Sequence, residues 1–271
     1  MDGFSQQLIA RSGYEGEDFT AAYDAHRPAP PDAVLDIIEM HAVRRSQLVV
    51  DLGAGTGLST RPWADRSVAV VGIDANKHMV ERARAETAAP NVSFALRHAT
   101  DTGLSDGEAD IVTCAQSFHW MEPQPVLAEA ARILRAGGVF AAYDYDVVPV
   151  VHPSVDAAFV AHVEARSEAR RRLGLEAGAA VWPKHGHAAQ LRSSGSFSLV
   201  RELQCHAEGM IDAERLIGLA SSIGGPAELF DGRALEVLRT FETLASTARA
   251  VLGEATRRSL TGYTVRLGVR R

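Results

Sequence analysis

The chain has 271 residues, of which 46% are hydrophobic and 23% are charged, and its formal net charge is -6. These values are ordinary for a soluble globular protein, and the length suits one α/β domain that carries an insertion. The negative charge argues against a general nucleic-acid binder, which needs a positive surface over phosphates, and two cysteines are too few for a disulfide framework or a thiolate metal cluster.

The first residues of the chain, "MDGFSQQLIARSGYEGEDF", contain no basic segment followed by an apolar core. We therefore expect no signal peptide there. Since no apolar run is long enough to span a bilayer, we also expect no membrane association and a cytoplasmic location.

Between about Gln47 and Asp146, short apolar runs alternate with helical stretches, as a parallel sheet covered by helices requires. The predicted strands read "QLVVDLG", "VAVVGID", "NVSFALRHA", "ADIVTCAQS" and "GGVFAAYDYD". The predicted helices lie near 58–65, 77–87 and 123–135. Cys114 and Cys205 fall within apolar runs and are expected to be small buried residues of strands.

Beyond Val147 the pattern predicts four more elements before a last strand in "SLTGYTVRLGV". They are a helix over 153–173, a strand over 197–205, a helix over 212–219 and a long helix over 226–252, which Gly232 could interrupt. We divide the chain into an N-terminal helical segment or lid (1–45), a cofactor-binding core (46–146), a helical insertion that shapes an acceptor pocket (147–195) and a C-terminal part of the sheet domain (196–271).

The stretch "VVDLGAGTGLST" contains the pattern most indicative of function, with Gly53, Gly55 and Gly57 directly after a buried strand. A glycine-rich turn between a strand and a helix permits close approach of a ligand and aims backbone N–H groups at it. The dinucleotide fingerprint G-x-G-x-x-G would place its third glycine where this chain has Leu58. Asp51 precedes the glycines, and a carboxylate there would repel a pyrophosphate but hold an ammonium group. The turn therefore favours a nucleoside with a cationic amino-acid tail.

Asp74 ends the next predicted strand, about twenty residues later, where an acid can bind both ribose hydroxyls. The alternative is that Asp74 caps the helix that begins near Asn76. Together with Asp51, the ribose role is the preferred interpretation.

Four segments, "VVDLGAGTG", "VVGIDANKHMVERAR", "ATDTGLSDGEADIVTCAQSFHWME" and "EAARILRAGGVF", resemble the class I S-adenosylmethionine-dependent methyltransferases. The His-Trp pair after the fourth strand resembles the branch that includes trans-aconitate-type methyltransferases, and "DFTAAYDAHRPAPP" is similar to that branch's N-terminal element. The resemblance implies an α/β, Rossmann-like fold: a seven-stranded, mostly parallel sheet with an antiparallel C-terminal strand, an N-terminal helical lid and a helical insertion after the fifth strand.

The same resemblance implies S-adenosyl-L-methionine as the cofactor and assigns a role to each matching position. The implied cofactor-binding residues are Tyr23, Arg27, Asp51, Gly53, Ala54, Gly55, Gly57, Asp74, Ala75, Met79, Ala99, Thr100, Gln116, Ser117 and His119. Asp74 and Ala75 would meet the ribose, and Met79, Ala99 and Thr100 would surround the adenine. The family usually has an acid at the position of His98, so this chain departs from the family's pattern at a residue expected to recognise adenine.

Transfer of a methyl group from a sulfonium is governed by positioning, and a base is needed only if the acceptor must lose a proton. His119 is the candidate catalytic residue, either as a base or as a hydrogen-bonded wall residue. Trp120 would contact the substrate or pack against the following turn, and Tyr14 and Tyr143 are further candidates for substrate binding. His185 and His187 in "KHGH" are too few for a metal site and are expected in an exposed loop. Binding of a carboxylate acceptor would require arginines that face the pocket. Arg166 and Arg170 are candidates for this role, and a solvent-exposed face is the alternative for both.

The predicted function is methylation of a small molecule at an oxygen, nitrogen or carbon atom, in specialised metabolism. The alternatives are an NAD(P)-dependent oxidoreductase, against which Asp51 and Leu58 argue, a cofactor-binding protein without turnover, and a methyltransferase that acts on a macromolecule. The acidic balance weighs against nucleic acid as a partner.

Overall fold

The apolar runs form one seven-stranded sheet with the strand order β3-β2-β1-β4-β5-β7-β6. The computed structural model describes residues 24–42, 46–175, 182–224, 229 and 232–271. The strands are β1 (Leu48–Leu52), β2 (Ala69–Asp74), β3 (Val92–Leu96), β4 (Ala109–Ala115), β5 (Leu134–Tyr145), β6 (Phe197–Ile211) and β7 (Arg257–Arg270). The pairs β1–β2, β2–β3, β1–β4 and β4–β5 are parallel, whereas β7 pairs with β5 in the antiparallel direction. The predicted fold class is confirmed.

The helices predicted near 77–87, 123–135, 153–173 and 212–219 are present, with ends that differ from the prediction by one or two residues. The helices of the described residues are α1 (Asp32–Glu39), α2 (Lys77–Ala85), α3 (Pro123–Ile133), α4 (Pro153–Arg172), α5 (His187–Ser193), α6 (Ala213–Ser221) and α7 (Leu235–Leu252). Within the ranges that the structure describes, no helix is long and apolar enough to cross a membrane.

Two predicted helices are wrong in part. The segment predicted as a helix over 58–65 contains only a single 3-10 turn, Arg61–Trp63, because Pro62 cannot donate a backbone hydrogen bond and Ser59 and Thr60 bind Asp51 through their hydroxyls. The long helix predicted over 226–252 begins at Leu235. Gly232 precedes it with φ 90°, which no α-helix accommodates.

The described residues divide into two compact units. The sheet unit contains residues 28–42, 46–145, 182–205 and 263–271, and the helical unit contains residues 24–27, 146–175, 206–224, 229 and 232–262. The chain passes from the sheet unit to the helical unit at residue 146, near a predicted boundary, whereas the predicted C-terminal part over 196–271 contains residues of both units. The difference arises because α6 and α7 pack on α4 within the helical unit.

Each unit has its own apolar core. In the sheet unit the strands bury Val112, Cys114 and Phe140 against α3, so the prediction that Cys114 is a small core residue is confirmed. Cys205 lies in β6 and is partly buried. In the helical unit, Phe159 of α4 packs in one cluster with residues of α6 and α7. The candidate site described next belongs to the sheet unit.

Candidate functional site

The glycine turn follows β1 at the carboxyl edge of the sheet, and its three glycines are in the left-handed region. Their φ angles are 71° at Gly53, 55° at Gly55 and 85° at Gly57. A Cβ on Gly53 would lie 2.6 Å from the Ser117 Cβ, and one on Gly57 would lie 2.8 Å from the Phe94 ring, so both positions need glycine for space as well as for conformation. A Cβ on Gly55 would meet no atom within 4 Å. The turn is therefore open at Gly55.

The N–H groups of this turn bind the protein itself. Gly53 and Ala54 donate to the Ile73 carbonyl at 2.7 and 3.0 Å, Gly55 donates to Asp74 Oδ2 at 2.8 Å, and Gly57 donates to the Ala54 carbonyl at 2.9 Å. The expectation that the turn aims these N–H groups at a ligand is wrong. Since a pyrophosphate is bound by such groups, this arrangement disfavours a dinucleotide at the turn.

Asp51 is fully buried and its carboxylate accepts three hydroxyl hydrogen bonds. Ser59 and Thr60 donate to Oδ2 at 2.6 and 2.8 Å, and Thr113 donates to Oδ1 at 2.8 Å. Burial raises the pKa of Asp51, and the three hydroxyls oppose that rise. Asp51 thereby holds the segment after the glycines in place. Its expected contact with an ammonium group remains a prediction.

Asp74 connects the ends of β1 and β2. Its Oδ2 accepts the Gly55 N–H, and its Oδ1 accepts the Asn76 N–H at 2.8 Å. Asn76, and not Asp74, caps α2, because the Asn76 side chain accepts from the N–H groups of His78 and Met79. The capping alternative for Asp74 is therefore wrong. Burial raises the pKa of Asp74, and its charge in turn raises the pKa of Asp51.

The residues expected around an adenine follow strands β2 and β3, and Asp74 is the last residue of β2. Met79 is buried in the first turn of α2, and Ala99 packs against the core of the sheet unit, whereas Thr100 is exposed. His98 Nε2 is buried and has no hydrogen-bond partner within the described chain. The roles assigned to these residues and to Ala75 remain predictions.

Gln116 follows β4 in an uncommon backbone conformation, with φ 51° at a residue other than glycine. Three hydrogen bonds hold it there: its N–H donates to the Tyr143 carbonyl, its Nε2 donates to the Tyr145 carbonyl, both at 2.9 Å, and its Oε1 accepts from Lys184 Nζ. Such a conformation costs about 1–3 kcal/mol and clusters at functional sites. Ser117, expected at the cofactor, donates its hydroxyl to the Leu52 carbonyl at 2.7 Å.

His119 and Trp120 belong to a 3-10 turn, Phe118–Trp120, that follows β4. His119 Nδ1 is buried without a hydrogen-bond partner among the residues described, and it lies 3.8 Å from Asp144 Oδ1. Burial and the Lys184 charge lower the pKa of His119 to about 3, against the opposing effect of Asp144. His119 is therefore a neutral imidazole at physiological pH. The Trp120 ring lies 5.1 Å from the His119 ring.

The sequence did not predict the charged groups that surround His119. Asp144 Oδ1 lies 2.9 Å from Lys184 Nζ, and its Oδ2 lies 3.0 Å from Arg266 Nη1. The available signal was strand alternation in "AAYDYD", which places Asp144 on the face opposite to Tyr143. The exposed loop predicted for "KHGH" is wrong at His187, which is fully buried and begins α5 with its ring 4.8 Å from that of Phe118.

Tyr143 occupies the interior and not a pocket mouth. It is 3% exposed, and its hydroxyl has no hydrogen-bond partner in the described part of the chain. Burial and then the Asp51 charge raise its pKa, and the pairing of Asp51 with Thr113 and of Thr113 with Ala141 places Tyr143 on the same face of the sheet as Asp51. Its expected role in substrate binding remains a prediction.

The remaining predicted residues belong to the helical unit or lie outside the described residues. Arg27 donates to the Ser222 hydroxyl at 2.9 Å and to the Ser222 carbonyl at 2.8 Å, and Arg166 donates to the carbonyls of Ile223 and Gly224. Tyr14 and Tyr23 lie outside the described residues. The described ranges contain no group of three or more His, Cys, Asp or Glu residues placed to hold a metal ion.

Residues 50–142 match the family described as "Methyltransferase domain". An uncharacterized methyltransferase of Mycobacterium tuberculosis is 38% identical over 117 residues, which are 43% of this chain and 46% of that protein. The chain thus spans about half the length of the first curated relatives it matches.

Two solved structures have the same fold. A candidate type II methyltransferase from Anaeromyxobacter dehalogenans has a TM-score of 0.66 at 24% identity, over 90% of this chain and 97% of that one. The phosphoethanolamine N-methyltransferase 2 of Haemonchus contortus, solved with phosphomonomethylethanolamine and S-adenosylhomocysteine, has a TM-score of 0.58 at 14% identity, over 100% of this chain and 61% of that one.

Proposed function

We propose that this chain, whose residues 50–142 form a methyltransferase domain, transfers a methyl group from S-adenosylmethionine to a small-molecule acceptor. The matched region contains the glycine turn, Asp74, Gln116 and His119, so it covers the candidate site of the sheet unit. The Haemonchus contortus neighbour carries S-adenosylhomocysteine on this fold, which supports the same class of cofactor here.

The observation that carries the proposal is the charge and hydrogen bonding of the glycine turn. Four of its N–H groups are bound internally, and two carboxylates face this turn, the buried Asp51 and the partly buried Asp74, whose charge raises the pKa of Asp51. A site with excess negative charge favours a cation. S-adenosylmethionine carries a sulfonium and an ammonium group, whereas a dinucleotide would bring a pyrophosphate.

The residues present fit such a nucleoside. The open face at Gly55 leaves room for it, and Asp74 keeps acceptor capacity for ribose hydroxyls beyond its bonds to Gly55 and Asn76. Met79 supplies an apolar side chain at the start of α2. Asp51, Ser59 and Thr60 hold the turn in shape and do not themselves need to touch the ligand.

The cofactor supplies an activated methyl group on a positively charged sulfur. This chain's own residues have to bind the acceptor, orient its reacting atom and exclude water, which together contribute about 7–11 kcal/mol in well-oriented reactions. A neutral His119 is able to take a proton from an acceptor that must lose one, because its ring nitrogen carries a free lone pair at neutral pH.

The proposed acceptor is a small molecule, and the proposed setting is specialised metabolism. The net charge of -6 opposes binding of nucleic acid.

A label-transfer experiment tests this proposal. Purified protein is incubated with S-adenosylmethionine labelled in its methyl group and with heat-inactivated small-molecule, protein and nucleic-acid fractions of a bacterial extract. We expect label to appear in the small-molecule fraction, and we expect the Asp74→Ala variant to lose that transfer. Label confined to the protein or nucleic-acid fraction would contradict a small-molecule acceptor, and the absence of label from all fractions would count against methyl transfer.

A further inference from the structure

Asp144 is positioned between two groups that compete for one of its oxygens. Lys184 Nζ lies 2.9 Å from Oδ1, whereas His119 Nδ1 lies 3.8 Å from the same oxygen, beyond hydrogen-bond distance. The Nδ1 atom is buried and unpaired within the described residues. A buried nitrogen without a partner is unfavourable, so His119 gains a hydrogen bond whenever Oδ1 becomes available to it.

We propose that Lys184 controls the proton affinity of His119 by occupying Asp144 Oδ1. While Lys184 holds this oxygen, His119 stays neutral and without a partner. When Lys184 moves away, Asp144 accepts a hydrogen bond from His119 Nδ1–H, and Nε2 becomes the stronger base. The inference deepens the proposed function, on which it rests, because a base of this kind would act on the acceptor of the methyl group.

The charges that face His119 come from three elements. Asp144 lies on β5 and favours the imidazolium, whereas Lys184, in the 3-10 turn Lys184–Gly186, and His187, at the start of α5, oppose it. Departure of Lys184 removes one opposing charge and frees the favourable one. Both changes act in the same direction.

Arg266 remains paired with Asp144 when Lys184 leaves. Its Nη1 lies 3.0 Å from Oδ2, the oxygen that Lys184 does not use, and its Nε lies 2.8 Å from Glu202. Asp144 and Arg266 are 8% and 7% exposed, and a neighbouring cation offsets part of the cost of burying a carboxylate. Asp144 therefore keeps one cation partner when its Oδ1 passes from Lys184 to His119.

Lys184 is the more exposed cation of this group, and its Nζ also donates to Gln116 Oε1. It is one of two lysines in a chain with 28 lysines and arginines, and its side chain is 40% exposed, compared with 8% for Arg266. A lysine ammonium is a point charge on a flexible stem, whereas arginine binds carboxylates through a planar fork. A negatively charged group of an acceptor that reaches Nζ would draw Lys184 from Asp144, and the base would then form only when that acceptor is bound.

The test is an NMR titration of His119 in the full chain, without cofactor or acceptor. The His119→Gln variant assigns the ring signals. In the wild-type protein the His119 pKa is expected far below its ordinary value, and in Lys184→Met it is expected to rise by about one pH unit or more. Lys184→Arg restores a cation and is expected to keep the pKa low. Lys77→Met is the matched control, since Lys77 is 69% exposed on α2 and pairs only loosely with Glu81 at 3.6 Å.

An unchanged His119 pKa in Lys184→Met, or an equal rise in Lys77→Met, would overturn the proposal. In the double variant Lys184→Met/Asp144→Asn, the His119 pKa is expected not to rise. A rise that persists in this variant would come from loss of the lysine charge alone, and it would contradict the exchange of Asp144 from Lys184 to His119. These titrations need no methyl donor. Failure of S-adenosylhomocysteine to bind in calorimetry would remove the proposed function and leave the titration result standing.

Discussion

At the scale of single residues, the shape of the glycine turn depends on a buried and a partly buried carboxylate, Asp51 and Asp74, and on the groups that hydrogen-bond to them. The positions of Asp51 and Asp74 at the ends of β1 and β2 follow from sequence, because a strand that ends in an acid before glycines is recognisable. Their partners do not follow, since Ser59, Thr60 and Thr113 reach Asp51 from separate parts of the chain. Side-chain direction within a loop is set by tertiary contacts that no local pattern encodes.

Replacement of Asp51 by Asn separates stability from binding. Burial makes the ionised carboxylate costly, as its raised pKa indicates, and Asn keeps the shape and can accept hydroxyl hydrogen bonds. Asp51→Asn is therefore expected to unfold at the same temperature as the wild-type protein or a higher one, while its affinity for S-adenosylmethionine falls about ten-fold through loss of one charge. Thermal unfolding and calorimetry measure the two effects. A large drop in the unfolding temperature would show that the charge itself holds the turn.

At the scale of elements, the strands and most helices could be predicted because apolar runs and their spacing report burial directly. The segment after the glycine turn could not, because Pro62 and the hydroxyls that bind Asp51 replace the predicted helix by a 3-10 turn. The first residues of α5 were likewise missed, since nothing local distinguishes a buried His187 from an exposed one. The positioning of His119 depends on such contacts between elements.

The close approach of the glycine turn to the segment after β4 predicts the effect of Gly53→Ala. The added Cβ would lie 2.6 Å from the Ser117 Cβ at a φ of 71°, so the variant combines a clash with backbone strain. We expect a loss of about 2–4 kcal/mol in the free energy of unfolding by denaturant titration.

Gly195→Ala is the matched control, because Gly195 has a φ of 70° and a Cβ there meets nothing within 4 Å. It carries the strain alone and is expected to cost about 1 kcal/mol. Equal losses in the two variants would contradict a specific contact between the glycine turn and Ser117.

At the scale of the whole molecule, each compact unit contains a buried histidine that is kept neutral. His162 in the helical unit is 1% exposed, with its Nδ1 3.1 Å from the Thr240 hydroxyl, and His187 in the sheet unit is fully buried. Burial lowers the pKa of each to about 4. The division into units was visible from sequence only as a change of pattern near 146, because the return of the chain through α6 and α7 to pack on α4 is a long-range contact.

These histidines predict acid sensitivity. A histidine whose pKa is lower in the folded state than in the unfolded state binds its proton more readily when unfolded. Its stabilising contribution is therefore complete above about pH 6.5 and decreases as the pH falls toward 4, by up to about 3 kcal/mol for each residue.

Urea unfolding at a series of pH values measures how the free energy of unfolding decreases as the pH falls. His162→Gln removes one of the histidines whose pKa is lowered by burial and is expected to flatten the decline between about pH 6 and 4, although the variant itself is less stable at neutral pH. A decline of the same steepness in wild-type protein and variant would assign the acid sensitivity to other groups.

The central claim is that the glycine turn binds a cationic nucleoside and not a dinucleotide, and calorimetric titration of the whole chain tests it most directly. S-adenosylmethionine and S-adenosylhomocysteine are expected to bind at one site per chain, and NAD and NADP are expected to show no binding. Asp74→Ala is expected to weaken binding of the nucleoside by a few kcal/mol at most, that is by up to about 100-fold. Binding of NAD or NADP at the turn, or no heat with either adenosyl compound, would contradict the account.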